Sequence, residues 1–201
     1  MLYEEKRPLG TKDAVALQKE QWQNMRVEGF DEMVSSDQLF NLCSFIGNAI
    51  LKSNPTVVGF QGPAKSGKTT MCRIIQMIAD KHDLRSVFLH ENEPEKIGEC
   101  LQNTMQHASI CFSMDGRIPD EVVGRNLVVW KDIVSGKERR SFWRAPTFFC
   151  SNVPIEQPGV SVIHFTLARV VNPHLLRSIN IEQVEQKCLL TALLTSSRND
   201  V

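Results

Sequence analysis

From Gly62 to Thr70 the chain reads Gly-Pro-Ala-Lys-Ser-Gly-Lys-Thr-Thr, a run whose residue types and spacing suit a polyanion. Gly62 and Gly67 carry no Cβ, so the backbone can turn tightly and aim successive N–H groups at one point, where phosphate oxygens replace water. At this spacing Lys68 reaches the β- and γ-phosphates of ATP and the Thr69 hydroxyl holds Mg²⁺, while Pro63, Ala64, Lys65, Ser66 and Thr70 complete the cradle. Such a loop needs a buried strand before it and a helix behind it. Val57, Val58 and Phe60 supply the first, and Met71, Ile74, Ile75 and Ile78 recur at helical spacing to supply the second. The new helix turns its positive end toward the phosphates.

Nucleotide chemistry further requires a carboxylate for the metal and water. Two apolar runs end in one: Ile110-Cys-Phe-Ser-Met-Asp115 and Leu127-Val-Val-Trp-Lys-Asp132. Pro119-Asp120-Glu121 is a helix-start signal, and Val123, Leu127, Trp130 and Val134 continue from it as a helical stripe, so Asp132 is expected on a helix. Asp115 ends a short apolar run before Gly116 and is the better candidate. A third marker is Asn152, at the end of the apolar stretch Thr147 to Cys150 and just before Pro154. An amide there can hydrogen-bond the γ-phosphate and the attacking water. Between these markers lies a basic turn, Lys137 to Arg144, with Lys137, Arg139, Arg140 and Arg144 beside Phe142 and Trp143.

The elements that must position these residues are legible as an alternation of strands and helices, an α/β pattern with a largely parallel sheet. Strands are expected at Ser86 to Leu89, Ser109 to Met114, Thr147 to Cys150 and Val160 to Leu167. Helices are expected over Pro94 to His107 and Ile181 to Leu194. Before the loop, Lys12 to about Arg26 and Ser35 or Ser36 to about Lys52 read as helices, the second with Leu39, Leu42, Ile46 and Ile50 on one face. They divide the chain into a small helical leader or oligomerisation segment, 1–54, and a catalytic α/β unit, 55–201.

The 201 residues carry 23 basic and 23 acidic side chains, so no global field draws the protein to nucleic acid or membrane, and any polyanion site is local. No apolar run approaches the ~20 residues that span a bilayer, and Met1 to Arg7 has no signal-peptide core. A soluble intracellular protein without a membrane partner is expected. The six cysteines, Cys43, Cys72, Cys100, Cys111, Cys150 and Cys188, lack the close spacing of a zinc or redox motif and read as buried reduced thiols. The five histidines form no metal motif, so a catalytic metal held by His or Cys is not expected.

The order of features resembles the superfamily 3 helicases, the replicative ATPases of small DNA viruses, with parvovirus non-structural replication proteins closest in layout. Gly62 to Thr69 matches the family's first motif, Ser109 to Asp115 its second and Phe148 to Pro154 its third, with Trp130 to Arg144 similar to the intermediate motif and its basic hairpin. The resemblance covers about Pro55 to Val171. It implies a P-loop NTPase of AAA+-like fold, a homo-oligomeric, hexameric ring that uses MgATP to move on single-stranded nucleic acid, DNA favoured. Lys68 and Thr69 would hold phosphate and Mg²⁺, Asp115 would act at metal or water, and Asn152 would sense the γ-phosphate. Lys137, Arg139, Arg140, Trp143 and Arg144 would grip the strand. A small-DNA-virus origin would place it in the host nucleus, any other in the cytoplasm.

The sequence departs from that family in two places. Asp115 stands between Met114 and Gly116 rather than beside a second carboxylate, and Val153 to Thr166 holds no arginine to reach a neighbouring subunit's nucleotide. Glu91 or Glu93, and Arg169 or Arg177, are the available substitutes. The alternative is therefore an ATP-binding oligomerisation or regulatory module, derived from such an ATPase, that hydrolyses slowly or not at all. A small-molecule kinase ranks last, because no arginine-rich lid segment is visible.

Overall fold

A computed structural model describes residues 11–52, 56–89, 109–113, 127–131, 135–142, 145–152, 162–167 and 178–196. Among these, β1 (Val57–Gln61), β2 (Arg85–Phe88), β3 (Ser109–Ser113), β6 (Thr147–Ser151) and β7 (Val162–Thr166) form one sheet in the order β2-β3-β6-β1-β7. Every pairing is parallel. Central parallel strands are covered on both faces, so they must be apolar throughout rather than alternating. β3 and β6 are buried over all five residues, with apolar side chains at their centres and Ser109, Ser113, Thr147 and Ser151 at their ends, and β1 is buried over Val57 to Phe60.

Each of the five strands contributes a phenylalanine to one face. Phe88 stacks on Phe112 at 5.6 Å between ring centroids, Phe112 on Phe148 at 6.2 Å, Phe148 on Phe60 at 6.1 Å, and Phe60 meets Phe165 at 6.5 Å. Each pair adds ~0.5–1.5 kcal/mol beyond its area burial. The ladder ties the strands into one rigid plate across its width.

Helices close over the phenylalanine face. α1 (Thr11–Asn24), α2 (Ser36–Lys52), α3 (Lys68–Lys81) and α4 (Ile181–Ser196) are the described helices. α2 buries Leu39, Leu42, Cys43, Ile46 and Ile50, the stripe its sequence announces, and α3 buries Met71, Ile74, Ile75 and Ile78. Both stripes belong to the same core as Phe60, Phe112, Phe148 and Phe165. α2 thus shares the sheet's core and packs tightly on α4: a Cβ at Gly47 would collide with the Cys188 carbonyl and stand 2.9 Å from Ala192 Cβ. On α4, Lys187 is 2% exposed, and its ammonium donates to Asp31 Oδ2 at 2.6 Å and lies 5.1 Å from the Trp22 ring centroid.

One expectation is overturned. Leu127–Lys131 is a strand, β4, not part of a helix, and pairs antiparallel with β5 (Glu138–Phe142) in a separate two-stranded ribbon. The stripe of Val123, Leu127, Trp130 and Val134 fits helical spacing, but Leu-Val-Val-Trp is also what a strand favours, since branched and aromatic side chains suit a pleated surface. Gly136, at φ 66°, makes the turn between the two strands, a conformation glycine reaches without a Cβ penalty. The basic segment from Lys137 onward is therefore the second arm of a hairpin whose first arm the periodicity misassigned. The helix expected over Pro94 to His107 lies outside the described residues.

Candidate functional site

The run from Gly62 to Gly67 leaves the carboxyl end of β1 and enters α3 at Lys68, as a phosphate-binding loop requires. Its backbone passes three times through the left-handed side of φ: Gly62 at 151°, Lys65 at 64° and Gly67 at 92°. At Gly62 the constraint is doubly fixed, because a Cβ would come within 2.8 Å of the Leu167 carbonyl and 2.9 Å of Ser66 Oγ. Leu167 is held there by its N–H, which donates to the Gln61 carbonyl at 2.8 Å, and Gln61 Nε2 donates to Thr166 Oγ1 at 2.9 Å. The end of β7 thus walls one side of the loop.

Within the loop, Ser66 is fully buried and its N–H donates to the Pro63 carbonyl at 3.2 Å, whereas Pro63, Ala64 and Lys65 are exposed. The Lys68 ammonium folds back and donates to the carbonyls of Gly62 and Pro63, each at 2.8 Å. Bonds to two neutral carbonyls are weaker than charge-assisted bonds to phosphate, so an arriving anion can draw the ammonium over. α3 begins at Gly67 without a side-chain cap and carries no acidic residue in its first turn. Its first N–H groups and its dipole therefore stay available to an anion. Thr69 is exposed on that turn and Thr70 half-buried.

Asn152 follows directly on Ser151, which pairs in register with Gln61, the residue before Gly62. The sheet places the exposed Asn152 at the same carboxyl edge as the loop, on the neighbouring strand. The strand leading to Asp115 is one position further off, because β6 intervenes between β1 and β3. Asp115 and Asp132 both lie outside the described residues. The strands that precede them differ: β3 is part of the five-stranded sheet and β4 belongs to the separate ribbon.

In the hairpin, Lys137 and Arg140 are exposed and Arg139 stands in register opposite Trp130. Arg140 is engaged by its own strand: its Nε and Nη2 donate to Glu138 Oε1 at 3.0 and 2.8 Å. Trp143, Arg144, Glu91, Glu93, Arg169 and Arg177 lie outside the described residues.

A contact beneath the site escapes sequence reading. Cys72 on α3 and Cys150 on β6, 78 residues apart, bring their Sγ atoms to 3.5 Å. The contact raises the Cys72 thiol well above its ordinary value and burial adds to this; Cys150 is held below its own, by the hydrogen bond from Cys72 and the Lys68 ammonium against the opposing effect of burial. The five described cysteines are buried, as the apolar segments that carry them imply.

No family model matches the chain, nor does any curated protein. Among solved structures it resembles two A-form apo structures of the NrS-1 C-terminal region. One superposes with TM-score 0.50 at 10% identity over 87% of this chain, the other with TM-score 0.52 at 11% identity over 88%. The chain spans 44% and 45% of the length of those two chains. At this identity the likeness is one of fold. No helix among the described residues is long and apolar enough to cross a membrane.

Proposed function

We propose that this chain binds MgATP through Gly62 to Thr70 and acts as an ATP-dependent helicase or translocase domain of viral replication type on single-stranded DNA. The observation that carries it is the strand-loop-helix at β1 and α3, with Lys68 curled into a loop that glycine alone can form at Gly62. The uncapped start of α3, free of acidic side chains, and the Lys68 ammonium beside it are donors whose chemistry fits a triphosphate. Bound Mg²⁺ would polarise the γ-phosphate, the metal being held by the Thr69 hydroxyl with Asp115. Lys68 neutralises the phosphates, and the Asn152 amide orients the attacking water. Homo-oligomerisation as a ring follows from the family resemblance and belongs to this proposal.

The sheet order supports it. The order β3-β6-β1 sets the strand that leads to Asn152 directly beside the loop strand, with β3, whose sequence runs on toward Asp115, next to it. The decisive measurement is ATP hydrolysis with and without single-stranded DNA. Stimulation by the strand, abolished in both Lys68→Ala and Asn152→Ala, is the expected outcome. Asp115→Asn should cost far more than Asp132→Asn. The lone carboxylate at Asp115 favours a second reading, a nucleotide-binding assembly module. Tight ATP binding with no turnover on any nucleic acid would replace the first reading with the second.

A further inference from the structure

We propose that Cys72 and Cys150 form a disulfide under mild oxidation and that this bond restrains the phosphate loop. The geometry is specific. Cys72 lies one helical turn beyond Lys68 on α3, and Cys150 lies two residues before Asn152 on β6. Their sulfurs touch at 3.5 Å, so bonding at about 2.05 Å needs a closure of only about 1.5 Å. That closure draws the first turn of α3, which carries Lys68 and Thr69, toward the strand that ends in Asn152. The two elements whose spacing defines the γ-phosphate position become one covalent unit.

The pair is also chemically asymmetric in the useful direction. Thiolates, not thiols, react with oxidants. Both residues are buried, Cys150 at 4% exposure and Cys72 at 0%. The contact with Cys72 and the nearby Lys68 ammonium favour the Cys150 thiolate. With a peroxide as oxidant, the Cys150 thiolate attacks one peroxide oxygen, the O–O bond breaks, and hydroxide leaves to become water. The resulting sulfenic acid faces Cys72. The Cys72 sulfur attacks the Cys150 sulfur, the S–O bond breaks, and the departing hydroxide takes the Cys72 proton as a second water. Two thiols are oxidised by two electrons and one peroxide is reduced to two waters.

Disulfide formation stands on the contact alone, whereas its effect on nucleotide rests on the function proposed above. The test treats the full chain with hydrogen peroxide, blocks residual thiols and digests with trypsin, which releases Thr69–Arg73 and Ala145–Arg169. Mass spectrometry should find those two peptides joined, two hydrogens lighter than their sum, and the joined species should disappear after dithiothreitol. In parallel, affinity for MgATP should fall at least tenfold on oxidation and recover on reduction. Cys72→Ala and Cys150→Ala should each abolish that sensitivity. Absence of the joined peptide overturns the proposal, and so does its formation with unchanged affinity. Should either variant fail to fold, the wild-type peptide measurement decides alone. If reduced protein binds no MgATP, the functional reading fails, and the joined peptide still decides whether the disulfide forms.

Discussion

Gly62 shows how far a single residue can be read without coordinates. Its place in the loop follows from residue type and spacing, because steric freedom at a turn is a local property that a sequence states directly. The structure adds what is non-local: the Leu167 carbonyl stands where a Cβ would go. Gly62→Ala should therefore cost more than loop strain alone, which is of order 1–3 kcal/mol, since the wall formed by β7 must also move. Equilibrium urea unfolding should record a loss of at least ~1 kcal/mol, and MgATP affinity should drop with it. Wild-type stability and affinity in the variant would mean that the loop tolerates a different path. Cys72 and Cys150 mark the opposite limit. Nothing in either local sequence points to the other, because α3 and β6 meet only when the sheet assembles.

Elements were legible where one period dominated and misread where two periods fitted. The stripes of α2 and α3 are helical and nothing else, so their buried faces follow from the spacing of Leu39 to Ile50 and Met71 to Ile78. Leu127–Lys131 satisfies both a helical stripe and strand propensity, and tertiary pairing with Glu138–Phe142 decides for the strand. The resulting hairpin gives the basic residues a different setting from a helix followed by a turn. Arg139→Ala with Arg140→Ala should weaken binding to single-stranded DNA and flatten its dependence on log salt by up to about 1.4, from about 0.7 per phosphate contact. Because Glu138 already occupies Arg140, Glu138→Gln should tighten the same binding, within the few-fold range of an exposed ion pair. Filter binding from low to moderate salt reads both changes. Unchanged slopes would return these arginines to an ordinary solvated surface, with MgATP affinity unaffected in either case.

At the scale of the whole molecule, the helices before the loop and the last described helix are joined by a buried charge. Lys187 on α4 reaches Asp31, whose Oδ2 also accepts the Val27 N–H at 3.1 Å, and lies against Trp22 of α1, whose ring meets Phe40 of α2 edge-on at 5.0 Å. The apolar stripe of α2 could be read in advance, but a pair 156 residues apart could not, because charges are ordinarily read as surface. Burying them carries a desolvation cost that good geometry only roughly offsets, so the pair adds little net stability while its disruption is expensive. Lys187→Met alone strands the Asp31 carboxylate and should cost about 3 kcal/mol, near the low end for a buried pair because Asp31 keeps some solvent contact. Adding Asp31→Asn removes the stranded charge, keeps an acceptor for Val27 and should restore most of that loss. Urea midpoints of the wild type, both single variants and the double variant measure the coupling directly. Additive losses would mean that the two side chains do not act as a pair. A strong recovery in the double variant, with MgATP affinity unchanged throughout, would make the pair a device that fixes how the leading helices dock rather than part of the nucleotide site.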